Sequence, residues 1–359
     1  MPPIAETRIA VALDMHGCPN RCRHCWLGVA SRGSMSEEDL RWTVEQFRAL
    51  VRRGRLAVQS LAVMSWFREP DYADDYRRLY ELEAELGDGK PERFELLSIW
   101  RLARDPSYAA WAKSVGPDTC QISFFGMEST TDWFCRRRGA FQDALTATER
   151  LLEAGMKPRW QLFLTTRLIP ELPDVLRLVD RLRLRERVAT LGGQSQIFMH
   201  LPGPDGEGRR IEHLRPTIDQ VRSLPESLLA ASRKHLGRDI LWHTEADLIS
   251  RILDRKSWTP EPPPMLCFLV LSNWDVYSNI GTLEPWWRLG NLKQDSTETI
   301  IARYERDEAP GLQALFHYPA DRLAQEYGNP AGPRIYTDRG DLLSLYLARH
   351  CERGWAPRR

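Results

Sequence analysis

The chain is short of cysteine, nearly without net charge, and without any long apolar run. Only seven cysteines occur in 359 residues. The number is odd and the thiols cluster, which excludes the dispersed disulfide framework of a small secreted domain. Fifty basic and 49 acidic side chains leave a formal charge of +1, so no global field draws nucleic acid or an anionic membrane, and neither is expected as a partner. Runs such as Arg52-Arg53 and Arg136-Arg137-Arg138 read as solvated faces. No stretch approaches the ~20 apolar residues of a membrane-spanning helix. The opening MPPIAETRIAVALDM has neither the basic start nor the apolar core of a signal peptide. The expected setting is reducing and cytoplasmic. Thirteen Trp are present, but they are scattered and read as packing residues.

What the chain does have is an alternation of short apolar runs and helical stripes. Strands are expected at residues 7–13 (TRIAVAL), 60–66 (SLAVMSW), 94–100 (FELLSIW), 119–125 (TCQISFF), 159–166 (RWQLFLTT) and 194–200 (QSQIFMH). Between them lie amphipathic stretches, one opened by Ser36 as N-cap with Asp39 three residues on. That one is closed by Gly54, and others by Gly87 and Gly155. Strand–helix alternation with strands apolar on both faces predicts an α/β fold with a parallel sheet, curling toward a partial (β/α)6 TIM-like barrel over residues 1–212. Residues 213–258 read as a helical connection. The proline-rich TPEPPP at 259–264 reads as a linker to a smaller C-terminal α+β domain, 259–359. No internal repeat is visible.

Three of the seven thiols fall in one stretch, HGCPNRCRHCWLG, directly after the first strand. Cys18, Cys22 and Cys25 have the spacing C-x3-C-x2-C. Thiolates select zinc or iron–sulfur clusters. A structural zinc site wants four closed ligands, for which His16 is the available fourth, since His24 adjoins Cys25. A ferredoxin-type cluster wants a fourth cysteine nearby, and none follows before Cys120. Three ligands suit a four-iron cluster with one iron left open to a reactant, as catalytic metals keep a vacant position.

A C-x3-C-x2-C loop leaving the first strand of a repeated β/α domain resembles the radical S-adenosylmethionine (SAM) superfamily. The resemblance implies one [4Fe-4S] cluster on Cys18, Cys22 and Cys25, with SAM chelating the open iron. It also implies a flavodoxin- or ferredoxin-type electron donor. In that family a single electron cleaves the sulfonium and yields a 5′-deoxyadenosyl radical that abstracts hydrogen from substrate. His24, before the third cysteine, stands where an aromatic residue adjoins the adenine. The turn WFREP resembles the second half of a Gly-Gly-Glu-Pro-like turn that holds the SAM amino group, with Glu69 as the carboxylate and bulky Trp66 and Phe67 where glycines are usual. The fourth-strand run offers Ser123 and Glu128 to the ribose hydroxyls. The fifth offers Thr165, Thr166 and Arg167 to the SAM carboxylate, Arg167 through a bidentate fork.

The segment CFLVLSNWDVYSN followed by LGNLKQDSTETI is similar to the SPASM/twitch extensions of that superfamily. Cys267 stands in a usual cluster-ligand place and Asn279 in another, and after them only Cys351 remains. The extension is therefore expected to keep its fold without an auxiliary cluster, with Cys267 and Cys351 as buried thiols. His200, at the end of the sixth strand, faces the open end of the barrel and is the candidate acid–base group. The expected function is hydrogen abstraction from a small-metabolite or peptide natural-product intermediate. Methyl or aminocarboxypropyl transfer on the same cluster is the alternative enzymatic reading. A zinc-stabilised interaction module on His16, Cys18, Cys22 and Cys25 is the non-enzymatic one.

Overall fold

In the computed structural model the described residues are 8–15, 17–28, 33–50, 60–65, 68–91, 93–254 and 265–355. His16, Gly54, Trp66, Phe67 and the linker 259–264, singled out from the sequence, lie outside them. Among the described residues ten strands are formed: β1 (Arg8–Leu13), β2 (Ser60–Met64), β3 (Thr119–Phe124), β4 (Lys157–Phe163), β5 (Ile197–His200), β6 (His243–Thr244), β7 (Leu266–Val270), β8 (Asp275–Ser278), β9 (Gly290–Asn291) and β10 (Ile335–Tyr336). They form sheets ordered β2-β1-β7-β8-β9, β3-β4-β5 and β10-β6. The β1–β2, β3–β4 and β4–β5 pairs are all parallel. With helices packed on the strands, this is the expected α/β architecture of a partial barrel.

The local signals behave as their chemistry requires. Ser36 and Asp39 close a reciprocal capping box on the helix Glu37–Arg48, satisfying two of its free amide donors. Gly155 takes φ +70° after the helix Ala140–Glu153. One expected strand is not formed. Residues 94–98 run irregularly beside β3, touching it through Gln121 N–H to Glu95 O at 2.7 Å. Ile99 and Trp100 instead begin the helix Ile99–Arg104, because the Ser98 hydroxyl accepts from Arg101 N at 3.0 Å and so caps that helix. An apolar run alone does not tell a strand from a capped helix start.

The segment beyond the linker joins the first sheet. β7, LCFLV, is buried at every position and pairs in parallel with β1, Ala10 opposite Cys267. That burial explains why β7 reads as a continuous apolar run. The main core accordingly mixes both parts: Val11, Phe47 and Leu61 pack in one cluster with Phe268, Ile300 and Tyr346. Asn279, expected at a cluster-ligand place, is committed to backbone: its Oδ1 accepts from Cys267 N at 3.0 Å and its Nδ2 donates to Met265 O at 3.1 Å. Cys267 and Cys351 are both 6% exposed, the buried thiols expected, and burial pushes each up to about 12.

A second core surrounds the other sheet. Cys120, Ile122, Phe124, Trp160, Leu162, Ile197 and Met199 belong to it. Since side chains alternate along a strand and parallel register is fixed, Ser123, Gln161 and Phe198 share the other face, with Phe163 and His200 one step further along. This face is the interior of the barrel. Among the described residues no helix is long and apolar enough to cross a membrane.

Candidate active site

The cysteine loop leaves the C-terminal end of β1 and is fastened on three sides. Its own turns are closed by Cys25 N–H to Cys22 O at 3.2 Å and Gly28 N–H to Cys25 O at 3.1 Å. On one side Arg21 N–H donates to Cys135 O at 3.1 Å and Arg23 N–H to Phe134 O at 2.8 Å. These bonds bracket Cys22 against the end of the helix Glu128–Cys135, over a small core of Phe125, Phe134, Phe163 and Ile211. On another side Glu207 N–H donates to Cys25 O at 3.0 Å. There Gly206 takes φ +55°, and a Cβ on it would lie 2.4 Å from Trp26 O and 2.6 Å from Cys25 O. Only glycine permits that approach.

The third side is the turn after β2. Arg68, missed from the sequence, donates to Asp14 Oδ2 at 2.7 Å and to the carbonyls of Leu27 and Gly28. Next to it Glu69 Oε1 accepts from the Ser98 hydroxyl at 2.8 Å and from Trp100 N at 3.3 Å. Its other oxygen lies 3.9 Å from the Cys18 sulfur. Burial raises the Glu69 carboxyl above the ordinary carboxylate range. Below this turn, Arg93 bonds Asp71 and Glu83 at 3.1 and 2.7 Å, and the Tyr108 hydroxyl bonds Asp71 at 2.7 Å. This buried network shapes the turn that holds Glu69.

The three thiols are free and half-buried. Burial, with the Glu69 carboxylate adding, raises Cys18. Contact with the Cys135 thiol raises Cys22, and burial pushes Cys25 up to about 11. His24 turns inward. Its ring lies 4.6 Å from Phe125 and 4.5 Å from Phe163, and burial takes it down to about 4, so the imidazole is neutral. His200 stands against Phe163 at 6.3 Å, ring edge to face. The Nδ1 atoms of both histidines are buried with no hydrogen-bond partner among the described residues. Gln121 and Gln161, linked at 2.6 Å, also sit on this interior face. The register of β3 and β4 places them there.

Residues 13–177 match the family described as the radical SAM superfamily. Over those residues, just under half of the chain, it is similar to radical SAM enzymes. That family uses a [4Fe-4S] cluster and SAM. The fold is similar to that of native anSMEcpe with bound AdoMet, at 15% identity and a TM-score of 0.51, over 96% of this chain and 98% of that one. It is similar also to native anSMEcpe with bound AdoMet and Cp18Cys peptide, at 13% identity and a TM-score of 0.50, over 97% of each. Identities this low speak to the fold alone. No curated protein sequence matches the chain.

The residues fit a radical SAM centre. Three soft donors sit on one loop, a buried carboxylate adjoins Cys18, and a neutral buried imidazole carries an unsatisfied nitrogen. Among the described residues, no group of three His, Cys, Asp or Glu side chains is arranged to hold a single metal ion. The structure gathers His24, Glu69, Ser123 and His200 around the loop and the interior face. Thr165 and Thr166 are drawn into backbone: the Thr165 hydroxyl accepts from Leu168 N at 3.2 Å, and Thr166 N–H donates to Leu214 O at 2.9 Å. Arg167 is exposed, its guanidinium 3.8 Å from the centre of the Trp133 ring. Arg23 approaches the same ring at 4.0 Å. Glu128 is exposed on the first turn of its helix. The amide of Met127 and the hydroxyl of Thr130 at that helix start bond Glu171 instead, at 2.5 and 2.7 Å.

Proposed function

We propose that this chain is a radical SAM enzyme that carries one [4Fe-4S] cluster on Cys18, Cys22 and Cys25 and abstracts hydrogen from a small-metabolite or peptide natural-product intermediate. The observation that carries the proposal is the Cys18–Glu69 contact. It sets a buried carboxylate, held from behind by Ser98, beside a loop with three thiols. When bound, the cofactors supply one-electron cleavage of a sulfonium and a radical able to take a hydrogen atom.

The protein's own residues bind, orient and exclude water. Glu69 accepts from the SAM ammonium with the oxygen not committed to Ser98, a charge-assisted bond. His24 would present a neutral nitrogen to the adenine. Ser123 faces the barrel interior toward the ribose. Arg167, with Thr166 beside it, supplies a cation for the SAM carboxylate, in a neighbourhood where Arg23 and Arg136 already repel each other and so favour an anion. The aromatic wall of Phe125 and Phe163 would keep water out of the reaction space. His200, neutral because burial lowers it, serves as proton acceptor or donor at its free nitrogen. The electron comes from a flavodoxin- or ferredoxin-type donor in the cytoplasm.

The test is anaerobic reconstitution, reduction and product analysis with SAM. 5′-Deoxyadenosine supports the reading. Homocysteine or methylthioadenosine as sole product would move the chain to group transfer, and zinc without sulfide would remove the radical chemistry altogether.

A further inference from the structure

A cavity of about 170 Å³ opens on the side of the cluster loop where Trp26 follows Cys25. That is room for roughly five waters, or for a short alkyl chain. Its walls include Trp26 of the loop, Asp205 of the turn after β5, Thr282, Glu284 and Trp287 of the C-terminal extension, and Ser344 of the helix Arg339–Trp355. It is built by both parts of the chain, and the Gly206 contact with the backbone of Cys25 and Trp26 fixes one wall to the cluster loop.

The charge in it is unbalanced. The Asp205 carboxylate has no ion-pair or hydrogen-bond partner among the described residues. The nearest guanidinium of consequence, Arg215, is taken by Asp341 through two bonds of 2.7 Å. Glu284 has Arg209 at 3.4 Å, but Arg209 reaches Glu352 more closely, at 2.7 Å. Of the two carboxylates, Glu284 thus has part of one cation and Asp205 has no ion-pair partner among the described residues. Thr282 is 6% exposed, and its hydroxyl is buried with no partner among the described residues. Leaving such groups unmet is costly. Together they describe the complement of a donor-rich cation: two acids, a hydroxyl able to accept, and apolar surface from Trp26, which is 43% exposed, and Leu347 for the stem.

We infer that this cavity binds a primary alkylammonium group of the substrate, carried on a lysine side chain or on a small amine. The site anchors a part of the substrate remote from the reacting carbon, the kind of contact whose binding energy orients the rest. Calling the ligand a substrate rests on the proposed function; the site itself does not.

The experiment uses reconstituted full-length protein under nitrogen and ligand-observed NMR titration with cadaverine, Nα-acetyl-lysine methylamide and glutarate. Both cations are expected to bind saturably and glutarate not to bind. Asp205→Asn and Glu284→Gln should each weaken cation binding at least tenfold, and Thr282→Val severalfold. A preference for the blocked lysine assigns the ammonium to a peptide side chain; a preference for cadaverine assigns it to a small amine. Glutarate binding as well as cadaverine, absence of saturable cation binding, or unchanged affinity in both acid variants overturns the site. Iron content and thermal melting check folding, and Glu284→Gln with Thr282→Val carries the test if Asp205→Asn does not fold. SAM binding measured in the same samples separates the two readings: its loss with cation binding intact sinks the proposed function and leaves the site standing.

Discussion

Arg68 donates from Nε to Asp14 Oδ2 at 2.7 Å, with the two side chains 5% and 2% exposed, and from Nη1 to the carbonyls of Leu27 and Gly28 at 3.0 and 3.2 Å. One guanidinium thus ties the end of β1, the far end of the cysteine loop and the turn after β2. Breaking a buried pair by removing one partner costs about 3–5 kcal/mol. Arg68→Met is expected to lower the melting temperature and to lose iron on gel filtration, while Arg68→Lys, which keeps charge without the fork, falls between. Iron analysis alongside a thermal melt measures it; full iron retention in Arg68→Met would show that the loop is held without this clamp.

The seven cysteines should divide three to four. Single alanine variants of Cys18, Cys22 and Cys25 are expected to lose the cluster's absorbance. Variants of Cys120, Cys135, Cys267 and Cys351 are expected to keep about four irons per chain. Eight irons in the reconstituted parent would put a second cluster in the C-terminal extension.

Glu69→Gln retains an oxygen for Ser98 and Trp100 but removes the charge beside Cys18. Hydrogen bonds to charged groups contribute about 1.5–3 kcal/mol, so SAM affinity should fall about 10- to 100-fold with iron content unchanged. Equilibrium dialysis with labelled SAM reads this directly. Unchanged affinity would remove Glu69 from the SAM site.

Asp205 gives a pH signature. Burial, with Asp341 adding and Arg215 opposing, pushes its carboxyl up to about 6 from an ordinary 3.8, and Glu284 faces it across the cavity. Between those values the folded chain holds a proton that the unfolded chain has released. Stability therefore falls as pH rises through the window, and the cost is complete above about 6. Asp205→Asn removes a penalty of about 1–3 kcal/mol at neutral pH, so the variant should melt a few degrees higher at pH 7.5, with the gap closing near pH 4. A constant gap across that range would contradict the assignment.

Gly206→Ala forces a methyl group onto two carbonyl oxygens at a positive φ. The expected result is weaker packing of the turn after β5 on the cluster loop, read as faster loss of iron to a chelator than in the parent. Equal chelation rates would mean that the two loops separate freely.

The interior face was only half legible. Ser123 and His200 were marked from their strands, but Gln121, Gln161 and Phe163 join them through the register of β3, β4 and β5, which no local pattern states. Glu128 was chosen by its place in the run after the fourth strand; it is exposed, while Glu171, 43 positions on in the chain, accepts from the Met127 amide and the Thr130 hydroxyl at that helix start. The expected strand at 94–100 failed for a local reason, the Ser98 cap, that the apolar run masked.

By itself the sequence determined the three-thiol loop, its position after β1, and the helix caps, since these depend on covalent spacing and on residues within a turn of one another. Only the tertiary structure decided that β7 lies beside β1, that Arg68 reaches Asp14, and that Asp205 meets Glu284 and Thr282 around one cavity. Those relations join residues tens to hundreds of positions apart. They exist because apolar strands and helices bury their faces together, and burial then leaves each enclosed charge to find, or to await, a partner.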